Sequence, residues 1–198
     1  MFLASALDVI SVVIGVLKDQ SLSLIQSSNL LAVMVASMDD NDEVVRQSAF
    51  GVLGDIAQYC FVAIQDHLAQ FTQLCVKHMN IEYAIIHHSS IHPFIHSSIH
   101  HLSFIIHSSF IILRYSSICN NAIWSLGEMV LRAGPTMACF MDSILPLLVS
   151  FNAQSGLPAG IRDNSTIAIC RSCLVIPQCI QYVQNHVGLL CMNVSRLR

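Results

Sequence analysis

The sequence predicts an all-α protein assembled from repeating helix pairs and interrupted by one irregular insert. Three observations carry this expectation. Composition is skewed toward burial, at 54% hydrophobic and 11% charged, against about 25% charged in an ordinary globular chain. Apolar residues recur at helical spacing through both ends of the chain. Acidic-amide or Gly/Pro clusters cut these runs into short units. At 198 residues the chain accommodates one ordinary domain or several such units.

In order along the chain, Met1 to Leu17 is apolar, but it has no basic start and carries Asp8 in its middle. It is also shorter than the roughly 20 residues a membrane-crossing helix needs, so a buried helix of a soluble protein is expected. Ser28 to Met38 reads as a second helix, with Leu30, Leu31, Val33, Met34 and Ala36 as its apolar residues. Asp39-Asp40-Asn41-Asp42-Glu43 supplies an N-cap and favourable charge at a helix start. Val45, Ala49, Val52, Leu53, Ile56 and Cys60 then follow at helical spacing. Phe61 to His78 is expected as a further helix, with Ile64, Leu68, Phe71 and Leu74 in register.

Beyond Ser117 the alternation resumes. Ser117 to Ala133 forms a helix stopped by Gly134-Pro135, and Thr136 to Phe151 is its partner. Gly156 to Gly160 is a turn, Ile161 to Cys170 a shorter helix, and another begins at Pro177. Helix pairs on short links, recurring about every 40 residues, are the signature of a HEAT-type α-solenoid. Such repeats bury their apolar faces only against neighbours. The chain shows no polar capping repeat at either end and is expected to be a fragment of a longer solenoid. Its expected organisation is repeats over 1–83, a low-complexity insert over 84–116 and truncated repeats over 117–198.

Several function classes find no support. A net charge of −3 leaves no electrostatic footprint for nucleic acid. Eight cysteines without regular spacing point to a reducing compartment rather than a disulfide framework. Cys170 and Cys173 have CxxC spacing, but they close an apolar helix with no second pair following, so buried structural thiols are expected rather than a zinc or redox site. No GxSxG or Gly-rich phosphate loop occurs, so no catalytic residue, metal or cofactor is assigned.

The only tryptophan is placed unusually. At 100° per residue, Cys119, Ala122, Ile123, Leu126, Met129 and Val130 share one face of their helix. Trp124 falls on the other, beside Asn120, with Glu128 one turn on. An aromatic next to an amide and a carboxylate, away from the packing stripe, marks a surface able to grip a ligand. The competing reading is that Trp124 packs against the helix of the adjacent repeat.

Several motifs together resemble transportin, the importin-beta-superfamily receptor type that carries proline-tyrosine nuclear localisation signals. They are Ala6-Leu7-Asp8, Ser28-Asn29-Leu30-Leu31, Val45-Arg46-Gln47-Ser48-Ala49-Phe50, Leu53-Gly54-Asp55, Cys119-Asn120-Asn121-Ala122, Trp124 and Gly127-Glu128. A weaker tail, Asn164-Ser165-Thr166-Ile167-Ala168-Ile169 and then Val175-x-Pro177-Gln178, stays in register. The resemblance covers nearly everything outside residues 84–116 and corresponds to repeats of the cargo-binding C-terminal half. It implies a non-catalytic receptor of cytoplasm and nucleus that holds an extended signal peptide on its concave surface. Trp124 would anchor an apolar or basic element, and Asn120 and Asn121 would bond peptide main chain. Asp8 would meet basic cargo residues, while Pro158, Asp163, Asn164 and Ile167 would line the neighbouring repeat. From the residues alone, Asp163 and Asn164 serve equally as helix N-caps, and Ile167 as core. Seven positions after Asp8 the family has a second acid where this chain has Gly15, a departure that bears on cargo choice. Release in the family needs the GTPase Ran on N-terminal repeats that are absent here. A generic HEAT scaffold for folded partners, of the phosphatase or chromosome-organising type, is the alternative.

The insert has its own logic. Ile91-His92-Pro93-Phe94, Ile95-His96-Ser97-Ser98 and Ile99-His100-His101 recur every four residues, and seven of the ten histidines lie from His87 to His107. The four-base repeat ATCC, translated in any frame, yields Ile-His-Pro-Ser. A translated microsatellite, from a retained intron or a gene-model error, therefore accounts for the segment, ahead of a disordered loop or a histidine metal site.

Overall fold

The computed structural model describes residues 2–80, 100–154 and 157–184, with the backbone alone over 100–114. Among the described residues all regular structure is helical, as the repeat pattern requires. The described residues form nine α-helices: α1 Phe2–Leu17, α2 Leu22–Ser27, α3 Leu30–Met38, α4 Glu43–Tyr59, α5 Leu68–Met79, α6 His100–Ala133, α7 Met141–Ala153, α8 Ala159–Val175 and α9 Cys179–Val183.

These helices sort into two layers. α1, α4, α6 and α8 lie side by side, each packed on the next. α3, α5 and α7 cover one side of that row, on α4, α6 and α8 respectively. This is the all-α HEAT arrangement, in which each pair closes its core on a neighbour. One continuous core results, built from Leu7 and Ile14 of α1, Phe50 and Leu53 of α4, Phe71 of α5, Ile123 and Leu126 of α6, Leu148 of α7 and Ile169 of α8. Among the described residues one helical run, Tyr115–Ala153, has the length and apolar content to cross a membrane. It is broken at Gly134 and gives Ile118, Leu126, Ile144 and Leu148 to the core.

Local chemistry sets the helix ends. Asp42 accepts a 2.9 Å hydrogen bond from the Val44 backbone and caps α4, with Glu43 in the first turn favouring the positive helix start. Gly134 ends α6 at φ +60°, a conformation glycine adopts without Cβ strain. Every described buried side-chain nitrogen and oxygen has a hydrogen-bond partner.

Several expected helix boundaries move. Phe61 to Ala63 and Gln65 to His67 are 3-10 turns, so the helix expected from Phe61 begins only at Leu68. Ile64 is fully buried between the two turns, and that anchoring bends the chain where periodicity alone ran straight. Thr136 lies in a 3-10 segment, and its helix starts at Met141. α8 is longer than expected at both ends, from Ala159 just after Pro158 to Val175 just before Ile176-Pro177. Residues 84–99 of the expected insert lie outside the described residues. The backbone of 100–116 is helical and runs continuously into the rest of α6.

Candidate functional site

α6 is the central strip of the first layer, and its face away from α5 carries the candidate residues. Ser117, Asn120, Asn121 and Trp124 are all partly exposed along it. On either side lie the corresponding strips of α4, with Gln47, Gly51 and Gln58, and of α8, with Gly160, Asn164 and Ile167. The second layer leaves this face uncovered.

Trp124 is half-buried, and its indole lies on α4 at Gly54. A Cβ built on Gly54 would fall within 3.0 Å of three ring carbons, Cζ3, Cε3 and Cη2. The ring therefore occupies the space that any other residue at 54 would fill. Packing on the adjacent helix and partial exposure to ligand coexist in this side chain.

The neighbouring amides knit the first layer together. Asn121 Nδ2 donates to the Gln47 carbonyl of α4 at 3.0 Å. Asn120 Oδ1 accepts from Asn164 Nδ2 of α8 at 3.0 Å. Asn120 Nδ2 and Asn121 Oδ1 take no part in these bonds and retain their capacity toward a peptide main chain. Between α4 and α8, Gln47, Ser116, Ser117, Asn120, Asn121, Pro158, Gly160 and Ile161 line an open depression of about 250 Å³. Its lining is uncharged, so it selects for hydrogen-bonding and shape rather than for charge.

Glu128 departs from the sequence reading. It is 3% exposed and paired with Arg171 Nη2 at 2.6 Å, not open to ligand. Beside it, Gly127 stands where a Cβ would come within 3.3 Å of both the Ala168 side chain and the Arg171 guanidinium, so α6 and α8 cross closely there. The remainder of that face, from Ser117 to Trp124, stays accessible.

With this geometry in place, similarity becomes informative. No family model matches the chain. Transportin-1 of Homo sapiens is 26% identical over 198 residues, covering 100% of this chain and 18% of that protein. Transportin of Dictyostelium discoideum is 24% identical over 196 residues, 98% of this chain and 18% of that protein. Importin subunit beta-2 of Schizosaccharomyces pombe is 26% identical over 181 residues, 90% of this chain and 17% of that protein. The similarity to transportins and importin beta-2 thus runs along nearly the whole chain. It spans less than a fifth of the length of these curated relatives.

The fold brings some of the expected site residues together and separates others. Asn120, Asn121 and Pro158 share the depression, and Asn164 joins them through its bond to Asn120. Asp163 and Asn164 lie inside α8, four and five residues past its first residue, so the N-cap reading of this pair fails; Pro158 holds the cap position. Ile167 is 37% exposed and belongs to the open strip rather than the core. Asp8 is exposed on α1, on the far side of α4 from Trp124. A Cβ at Gly15 would meet nothing within 4 Å, so the site accommodates the missing acid without a clash.

Asp55 is a carboxylate that sequence reasoning left without a role. It stands on α4 beside Gly54 and accepts a short hydrogen bond from Ser11 of α1. Burial raises its pKa, and the Ser11 bond only partly offsets this. The signal for it was present, since helix phase puts Asp55 on the same side of α4 as Gly51 and Gln58. Only the three-dimensional pairing with Ser11 places it next to the Asp8 and Gly15 strip. The cysteine expectation also changes: Cys170 is exposed and Cys173 partly so, while Cys179 is buried. Among the described residues no group of His, Cys, Asp or Glu side chains is arranged to hold a metal ion; the histidine cluster lies where side chains are not described.

Proposed function

We propose that this chain is part of a nuclear import receptor, and that its open α4–α6–α8 face holds an extended proline-tyrosine-type localisation signal. The observation that carries this reading is the half-buried indole of Trp124 at the centre of an otherwise amide-rich face. An indole fixed against a helix is a rigid apolar platform that loses little entropy on binding. The unpaired halves of the Asn120 and Asn121 amides flank it and match the donors and acceptors of an extended backbone. The role is binding, without chemistry, so no catalytic residue or cofactor is involved. Asp8 and Asp55 supply negative charge on the α1–α4 side for basic residues of the signal. Asp163, Asn164, Ile167 and Pro158 extend the track onto α8. Cargo proteins are the partners, and the receptor shuttles between cytoplasm and nucleus. Ran acts on the longer receptor through parts outside this chain. The histidine-rich segment is a translated microsatellite and takes no part.

The test is capture of the chain on an immobilised proline-tyrosine signal peptide. Capture by the wild-type chain, weakened about 10-fold or more by Trp124→Ala, supports the reading. Equal capture of both proteins overturns Trp124 as an anchor. No capture of either, with retention instead by a folded scaffold partner, favours the generic HEAT alternative.

A further inference from the structure

We propose that Gly54 is a positioning residue: its missing side chain is the seat that sets the Trp124 indole at the angle needed to receive a peptide. The inference rests on the peptide-binding reading above, but the seat itself can be judged independently of it. Three indole carbons lie within 3.0 Å of where a Cβ would stand, so even alanine cannot be added at 54 while the ring stays in place. The neighbouring turn of the same helix behaves differently. A Cβ at Gly51 meets only Asn121 Nδ2, at 3.7 Å, an ordinary contact. Gly54 is buried and Gly51 partly exposed, so the two glycines share a helix but not a function. Glycine costs a helix interior stability relative to alanine; Gly51 has no steric reason to remain glycine, whereas Gly54 does.

The ring has nowhere equivalent to go. Phe50 of α4 is fully buried one turn away, and Ser125, beside Trp124, is fixed to the Phe50 carbonyl at 2.6 Å. Gly127 and Glu128 hold the next turn of α6 against α8. A side chain at 54 therefore turns the indole out toward solvent without releasing α6 from its neighbours.

Trp124 is the only tryptophan, so its fluorescence reads this geometry directly. In the full chain, Gly54→Ala is expected to red-shift the emission and raise acrylamide quenching, and to weaken affinity for a proline-tyrosine signal peptide about 10-fold. Gly51→Ala should leave the emission and quenching at wild-type values. The decisive arm is Gly54→Ala in a Trp124→Ala background, where no ring remains to displace. There the alanine should leave residual peptide affinity unchanged and raise Tm by a few degrees through its better helix propensity. If Gly54→Ala does not fold, this double variant still tests the seat. Wild-type emission and affinity in Gly54→Ala, or a Tm loss in the Trp124→Ala background, would overturn the proposal. If the wild-type chain binds no peptide while Gly54→Ala still shifts the emission, the binding reading fails and the seat stands.

Discussion

The two flanks of α6 are joined to their neighbours by different chemistry. Toward α4 the contacts are aimed at backbone: Asn121 donates to the Gln47 carbonyl, Ser125 to the Phe50 carbonyl, and the Trp124 ring lies over Gly54. Toward α8 they are side chain to side chain, Glu128 with Arg171 and Asn120 with Asn164. A backbone-directed joint tolerates most side-chain changes on the opposing helix but not an added Cβ at its point of closest approach. The side-chain joint is in addition sensitive to deletion, since removing Arg171 strands the Glu128 carboxylate in a dry place.

That contrast ranks the effects of mutation. The largest loss is expected on the α8 flank. Arg171→Met leaves the Glu128 carboxylate buried without its partner, costing about 3 kcal/mol in chemical denaturation, whereas Glu128→Gln combined with Arg171→Met recovers much of it. An Arg171→Met loss of only a few tenths of a kcal/mol would mean that Glu128 is solvated and the flanks do not differ. On the α4 flank, Ser125→Ala removes a buried hydroxyl and leaves the Phe50 carbonyl its helical partner, so a loss of about 1 kcal/mol is expected by the same measurement. Gln47→Ala should change stability little, because Asn121 uses only the backbone at that position; a loss as large as that of Ser125→Ala would contradict the backbone-directed account.

A smaller and different response marks the joint between α6 and the second layer. His78 is buried against Phe50 with its Nε2 2.8 Å from Asp39, and Tyr115 donates to the His78 carbonyl at 2.5 Å. Burial lowers the His78 pKa, opposed by Asp39. The folded state thus resists protonation that the unfolded chain accepts. Stability from this residue is full above the ordinary histidine range near 6.5 and is lost as pH falls through it. Tm should fall between about pH 7 and about pH 5, and His78→Asn should flatten part of that slope. For Asp39, burial alone would raise the pKa, but its bonds to Lys77 and His78 outweigh burial and lower it, so its contribution disappears only in more acidic solution.

Much of the layer order was legible in the sequence, because apolar spacing at Val45, Ala49, Val52 and Ile56 and the Asp42 cap depend only on local periodicity. The boundaries that moved depend on tertiary contact. Ile64 was read as one more residue in register, and only its burial between two turns shows why the helix is delayed to Leu68. Helix phase also placed Trp124 beside Asn120 on the open side of α6, as the structure does, but it set Glu128 with them, whereas that acid is buried against α8. It could not show that Arg171, 43 residues beyond Glu128, reaches back to close that acid, or that Gly54 lies under the ring. Pairings across such sequence distances leave no periodic trace. Asp55 went unassigned for the same reason, since its partner Ser11 belongs to another helix.

The central claim is that a localisation-signal peptide lies on the α4–α6–α8 face with Trp124 beneath it. Titrating a proline-tyrosine signal peptide into the full chain while following the emission of its only tryptophan tests this most directly. The account predicts a saturable blue shift, with acrylamide protection growing in parallel. Peptide binding that leaves the Trp124 emission and quenching unchanged would contradict it.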